Sequence, residues 1–313
     1  MATYQGLQQP RQLDEGVLRR VLLGLSCRRY QDCAAVLPEA FGLSASSVSR
    51  RFIRASARKL RQLQERRLER YDLVAVVIDG KTFQADELVI ALGITSRSQR
   101  VVLGFVQTAT ENPLVCAAFL QELVARGLQA DRGLLVVIDG SQGLRAAVQE
   151  VFGAAVQVRR CQWHKRENVV AYLPKGQQAT WRAKLQRAYE QPTYAEAKGQ
   201  LMALQRDLQG INASAARSLA EGLEETLTLH RLGLFEELGQ SLKTTNMLES
   251  ILAQGEQRTG KVDYWKTSDH KQRWRATALL DIEPRLRWMR GYRALPKLRR
   301  ALQQAMGREV SAA

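Results

Sequence analysis

Two apolar runs dominate the middle of the chain: Leu73-Val74-Ala75-Val76-Val77-Ile78 and Leu134-Leu135-Val136-Val137-Ile138. Both are unbroken and rich in β-branched residues, so each predicts a strand buried on both faces. Leu88–Thr95 and Arg100–Thr108 predict two more strands, joined as a hairpin through Ser96-Arg97-Ser98-Gln99. Asn112-Pro113 then starts a helix, with the asparagine as N-cap and the proline in the first turn. Its apolar face is Ala117, Leu120, Leu123 and Val124, and Gly127 ends it. After the second run come a short helix carrying Leu144, Ala147, Val148 and Val151 and a brief strand over 155–158.

The flanks have helical rather than alternating periodicity. Leu18, Val21, Leu22 and Leu25 recur at helical spacing. In the stretch from Phe41 to Phe52, Gly42 supplies a turn, Ser44 a cap, and Val48 and Phe52 an inward face. Ser46, Ser47, Arg50 and Arg51 are left for solvent or DNA, as on a helix-turn-helix recognition helix; a merely capped basic hairpin has the same pattern. Residues 160–243 carry no strand signal and predict a series of helices, and 244–313 are helical too, with Trp265, Trp274 and Trp288 among lysines and arginines.

The order β-β-β-α-β-α-β predicts a mixed sheet with parallel strands at its centre. As an α/β arrangement it resembles the ribonuclease H-like (retroviral-integrase-like) core of many polynucleotidyl transferases. The chain then divides into four regions: a helical, helix-turn-helix-like DNA-binding region over 1–72, the first part of the core over 73–159, a helical insertion over 160–243, and basic helices over 244–313.

Charge sharpens that division. The 313 residues hold 47 basic and 31 acidic side chains, a net charge of +16. Residues 1–72 contain 14 basic and seven acidic residues, 256–313 contain 14 and six, and the span between is nearly balanced at 19 and 18. Basic ends on a balanced centre suit a catalytic core held on a polyanion, although a merely solvated basic surface would have the same count. The four cysteines form no metal-spaced pair and fit reduced cytosolic usage. No stretch approaches the roughly 20 apolar residues of a membrane span, and the first residues lack the apolar segment of a secretory signal. These features predict a cytoplasmic location.

The pentapeptide Val-Val-Ile-Asp-Gly occurs twice, at 76–80 and 136–140. Each copy closes a predicted buried strand, so two neighbouring strands would deliver Asp79 and Asp139 to one edge of the sheet, where α/β folds place ligand sites. A lone Asp-Gly is an ordinary turn signal; two copies in this topology point to chemistry. Adjacent carboxylates repel unless a cation lies between them, and hard oxygen donors suit two Mg²⁺ or Mn²⁺ ions serving in-line phosphoryl displacement. The glycines are expected to let the chain turn sharply after each aspartate. Glu221, Glu224, Glu225 and Glu249 are all available in sequence as a third carboxylate.

The chain also resembles the mutator-type transposases of bacterial insertion sequences, a branch of the Asp-Asp-Glu recombinases. The motifs that carry the resemblance include Val137-Ile138-Asp139-Gly140-Ser141-Gln142-Gly143-Leu144, Arg160-Cys161-Gln162-Trp163-His164-Lys165-Arg166-Glu167-Asn168-Val169 and Thr244-Thr245-Asn246-Met247-Leu248-Glu249-Ser250. The resemblance implies Asp79, Asp139 and Glu249 as the metal-binding catalytic triad and Cys161 and His164 as the family's Cys-x-x-His element. It implies strand cleavage at transposon ends, then strand transfer through a 3′-hydroxyl. The partners would be double-stranded DNA (terminal inverted repeats and target) and a second copy of the chain, with no membrane. Lys165 and Arg166 join Arg50 and Arg51 as candidate phosphate contacts. Zinc is not expected, because two ligands without a second pair fall short of the four of a structural site. A non-catalytic transposase-derived DNA-binding protein, or a nuclease or resolvase on the same core, are the alternatives.

Overall fold

The computed structural model describes residues 10–30, 44–83, 86–108, 112–262 and 264–312. In chain order the helices are α1 (Pro10–Leu22), α2 (Ala45–Gln64), α3 (Pro113–Ala125), α4 (Gln142–Phe152), α5 (Gln162–Ala171), α6 (Lys175–Tyr189), α7 (Tyr194–Ile211), α8 (Ala213–Ala220), α9 (Leu223–Thr226), α10 (Thr228–Arg231), α11 (Phe235–Leu242), α12 (Asn246–Thr259), α13 (Ser268–Ile282) and α14 (Leu295–Ala312). The strands are β1 (Leu73–Phe83), β2 (Asp86–Thr95), β3 (Arg100–Thr108), β4 (Leu134–Ile138) and β5 (Val156–Arg160).

The five strands form one mixed sheet in the order β3-β2-β1-β4-β5. β1 pairs antiparallel with β2 and parallel with β4, and β4 pairs parallel with β5. The apolar runs explain the centre: Val74 to Ile78 and Leu134 to Ile138 are all buried. Helices α3 and α4 cover one face, with Phe119, Leu120, Leu123, Leu144 and Val148 packed on Val76, Ile78, Val136 and Ile138. Asn112 caps α3 by accepting the Leu114 N–H at 2.9 Å, and Pro113 opens it. Val124, expected on the apolar face, is exposed; Cys116 and Phe119 are buried instead.

One expectation fails at β1. The strand does not end at Asp79-Gly80 but continues to Phe83, with Gly80 paired to Val89. Only the pairing with β4 stops at Ile78. Gly140 does turn, at φ 110°, so the sharp turn belongs to the second aspartate alone.

After β5 the chain enters the helical insertion. Val169, Trp181, Leu185, Leu201, Leu208, Ala216, Leu219 and Leu227 build its own apolar cluster. The capping box of Thr193 and Glu196 starts α7. The C-terminal helix α14 packs on the sheet through Leu295, Leu298 and Leu302, all buried. Arg299 joins in, donating to the carbonyls of Gly133 and Leu73 and to Asp72.

The chain divides into two compact units: residues 1–66 with 250–285, and 67–249 with 286–313. In the first, Val17, Leu18, Val21, Leu22, Val48, Phe52, Ala55, Trp274 and Ala278 form the core. Trp274 stacks obliquely on Phe52, with ring centroids 4.7 Å apart. Ser44 caps α2 as expected, accepting the Ser47 N–H at 3.3 Å. The turn at 41–43, which would complete the helix-turn-helix, lies outside the described residues. Among the described residues no helix is long and apolar enough to cross a membrane.

Candidate active site

Asp79 and Asp139 each come directly after the last rung of the parallel ladder, Ile78 with Ile138. Asp79 stays within β1, paired with Ile90, and is buried. Asp139 lies on the turn after β4, where its Oδ1 accepts the Ser141 N–H at 2.9 Å. Ser141 also caps α4 by accepting from Leu144. Thus one carboxyl is held by the sheet and the other by a turn.

Two further segments close on this edge. The Cys161 N–H donates to the Ile138 carbonyl at 2.8 Å, which carries the β5 end alongside Asp139. The Gln162 N–H donates to the Lys243 carbonyl at 3.0 Å, which brings the end of the insertion beside α5. Thr245 comes two residues later, fully buried, with its hydroxyl 3.9 Å from Cys161 Sγ and 3.5 Å from Glu249 Oε1. Glu249 lies in the first turn of α12.

Electrostatics show that these groups share one space. Burial pushes Asp79 up to about 7, reinforced by the charge of Asp139 and, more weakly, of Glu249; His164 and the Thr245 hydroxyl oppose the rise. Burial would lower His164, but the adjoining Cys161 and the charges of Asp79 and Asp139 raise it to about 9. Burial pushes the Cys161 thiol up, and His164 beside it more than reverses this. At neutral pH His164 is therefore a cation facing two aspartates. Its Nδ1 is buried and has no hydrogen-bond partner among the described residues.

The other three glutamates are committed elsewhere. Glu221 pairs with Arg160 and Lys165, Glu224 with Lys198, and Glu225 with Arg145 and Arg160. Nothing of the kind holds Glu249 beyond Thr245 among the described residues. Sequence reasoning missed Thr245 as a neighbour of Asp79 and Arg160 as the anchor of the insertion. A threonine four residues before the glutamate, one helical turn away, was the available signal for the first.

The candidate DNA contacts divide. Ser46 and Arg50 are exposed on α2 and Ser47 is half-buried. Arg51 pairs with the buried Asp14 at 3.0 Å, together with Arg58 at 3.1 Å. Lys165 must be corrected: it is buried, and its Nζ donates to the carbonyls of Ser218 and Glu221 and to the Glu221 carboxylate, so its three donors are taken inside the fold. Arg166 is half-buried, bonded to Gln186 and Glu167. Trp163 is half-exposed and packs edge-on to His164.

Among the described residues no three His, Cys, Asp or Glu side chains already stand as a metal cage. The donor chemistry nevertheless fits a hard divalent cation, because Asp79, Asp139 and Glu249 offer oxygens only.

Residues 3–274 match the family described as Transposase, Mutator family. The chain is 28% identical over 172 residues to the transposase for insertion sequence element IST2 of Acidithiobacillus ferrooxidans, covering 55% of this chain and 57% of that one. It is 27% identical to the transposase for IS6120 of Mycolicibacterium smegmatis, over 68% of this chain and 66% of that one. With the transposase for IS406 of Burkholderia multivorans it shares 27% identity over 93% of its own length and 75% of the relative's. The chain thus spans little more than half of the first relative and about two thirds of the second.

Proposed function

The chain belongs to the Mutator family of transposases, and from that premise we propose that it cuts DNA at the ends of an insertion sequence and joins the freed 3′-hydroxyl to a target strand. The observation that carries this reading is the gathering of Asp79, Asp139 and Glu249 at one sheet edge, with His164 among them. The strand order β3-β2-β1-β4-β5, with β2 antiparallel, supports assigning the sheet to the ribonuclease H-like class.

Asp79, Asp139 and Glu249 would hold two Mg²⁺ or Mn²⁺ ions. Bound there, the ions supply charge stabilisation to the attacking and leaving oxygens of an in-line displacement. The chain's own residues do the rest. Asp79 is fixed in register by β1. Asp139 has one oxygen tied to the Ser141 N–H, and its other oxygen would be the one offered to a metal ion. Thr245 steers Glu249 toward the aspartates. His164 places a positive charge beside the carboxylates, suited to a phosphate approaching that edge.

Double-stranded DNA is the proposed substrate, as terminal repeat and as target. Arg50 and Ser46 of α2 are the candidate contacts left exposed for the repeat. Joining two ends requires them to be held together, so a dimer or larger assembly on DNA belongs to this reading, in a cytoplasmic, nucleoid-bound setting. Strand cleavage on DNA carrying the element's terminal repeats, with Mg²⁺ or Mn²⁺, tests it. Asp79→Asn, Asp139→Asn and Glu249→Gln should each abolish cleavage and spare binding; cleavage surviving any one of them removes that residue from the triad.

A further inference from the structure

A second charged surface lies at the opposite end of the sheet. Thr95 pairs with Leu73 at the start of β1, and Asp79 lies six residues further along that strand. The β2–β3 turn is therefore about 20 Å from the candidate active site. Ser98 in this turn has φ 65°, the one positive value outside glycine among the described residues. Its buried hydroxyl accepts the Met289 N–H at 3.3 Å. Arg100 Nε donates to the Arg287 carbonyl at 2.7 Å. Gly291 sits at φ 76°, and a Cβ there would collide with the Glu237 carbonyl. The segment 287–292 is thus pinned at both ends.

What it presents to solvent is cationic and aromatic. Residues 286–308 include seven basic side chains and no acidic one. Lys297 and Arg299 are used inside the unit, paired with Glu237 and Asp72. Arg287, Arg290 and Arg293 are exposed and have no ion-pair partner among the described residues. Trp288 stands between them, 65% exposed, edge-on to Tyr292 with centroids 4.9 Å apart. The Arg293 guanidinium lies over the Tyr292 ring at 5.9 Å. The indole touches Tyr292 at its edge and leaves most of its surface in water, so its open face can stack on a nucleobase, and the surrounding guanidinium groups can take phosphates.

We propose that Arg287, Trp288, Arg290, Tyr292 and Arg293 form a binding surface for DNA with unpaired bases, in which a base stacks on Trp288 and the arginines hold the flanking phosphates. The inference rests on the proposed action on DNA. Its distance from Asp79 means that it would hold a different stretch of strand from the one being cut.

The test is fluorescence anisotropy on the full chain without divalent metal, using a labelled oligothymidine strand and a duplex of equal length and unrelated sequence. Trp288→Ala is expected to weaken single-strand binding about ten-fold or more, the loss of one stacked base, and to leave duplex binding within about two-fold. Trp288→Phe should keep most of the affinity. Exchanging Arg287, Arg290 and Arg293 for glutamine should flatten the salt dependence for single strands by about two. Single-strand affinity unchanged in Trp288→Ala overturns the proposal, as does an equal loss on duplex. In the unaltered protein, a 5-iodouracil strand should crosslink to the peptide carrying Trp288; a crosslink found only elsewhere also overturns it. Because binding is read without cleavage, the two readings fail separately. A protein that binds single strands through Trp288 and never cuts sinks the catalytic reading alone, and one that cuts but ignores Trp288 sinks this one alone.

Discussion

Ile78 and Ile138 form the last paired rung between the two parallel strands, and each is succeeded by an aspartate. The repeated pentapeptide therefore works as two halves of one device. Beyond the rung the two strands part ways: β1 continues along β2 to Phe83, whereas β4 stops and turns at Gly140. Asp79 is the buried, sheet-bound member, and its charged form is strained by burial first and by the charge of Asp139 second.

That strain has a measurable sign. A carboxyl raised to about 7 when folded, from 3.8, binds its proton more tightly in the native state. Its contribution is favourable at low pH and is lost as pH rises from about 4 to about 7. The metal-free protein should lose stability over that window relative to Asp79→Asn, by up to about 4 kcal/mol. Mg²⁺ should restore it at pH 7.5 in the parent and not in the variant. Urea midpoints of the two proteins across pH 4.5–7.5 check this; parallel profiles would remove Asp79 as the source.

Thr245 gives a second prediction. Its hydroxyl restrains Glu249 and lowers Asp79. Thr245→Val keeps the volume and removes both effects. Stability should change by no more than about 1 kcal/mol, while cleavage falls about ten-fold and its pH profile moves upward. DNA affinity should be unchanged. A fall in rate with no movement of the profile would separate Thr245 from Asp79.

Much of this was legible in the sequence, for identifiable reasons. The long β-branched runs read as buried strands, so a mixed sheet with parallel strands at its centre and the hairpin at 96–99 could be read from them. Helix α3 announced itself through Asn112-Pro113. Lys165 could not be placed, because its carbonyl partners Ser218 and Glu221 lie more than fifty residues away across the insertion. The true end of β1 was hidden too: a glycine after an aspartate signals a turn locally, and only the pairing with Val89 keeps Gly80 extended. The choice of Glu249 over its rivals needed family resemblance at first, whereas the structure shows the rivals paired with Arg145, Arg160, Lys165 and Lys198.

Arg160 ties the insertion to the sheet. It sits at the end of β5, and its side chain is 2% exposed while it pairs with Glu221 at 2.6 Å and with Glu225. Gly222, at φ 65°, leaves room for the guanidinium, which a Cβ would strike. Arg160→Met should cost roughly 2–3 kcal/mol, below the range for wholly buried pairs because Glu221 is 45% exposed. Gly222→Ala should be destabilising as well, through both the clash and the left-handed backbone. Thermal unfolding of the two variants measures this. Loss of less than about 0.5 kcal/mol in Arg160→Met would mean that the insertion is held by its apolar contacts alone.

His230 supplies a pH dependence of opposite sign within the insertion. Its Nε2–H is shared between the carbonyls of Tyr189 at 3.2 Å and Gln191 at 3.1 Å, and its ring stacks on Phe235 at 3.7 Å. Burial, aided by the charge of Arg159, lowers it to about 4 from 6.5. The folded state therefore keeps His230 neutral while the unfolded chain takes up a proton, so this contribution is complete above pH 6.5 and is lost as pH falls toward 4. Discounted for solvent screening of the ring, the expected loss across that window is about 1–2 kcal/mol. His230→Gln retains a donor for the two carbonyls but cannot titrate, so it should be less stable than the parent at pH 7 and lose less on acidification. Urea midpoints at pH 7 and pH 4.5 for both proteins give the comparison. An identical drop in the two would show that the acid sensitivity arises elsewhere in the chain.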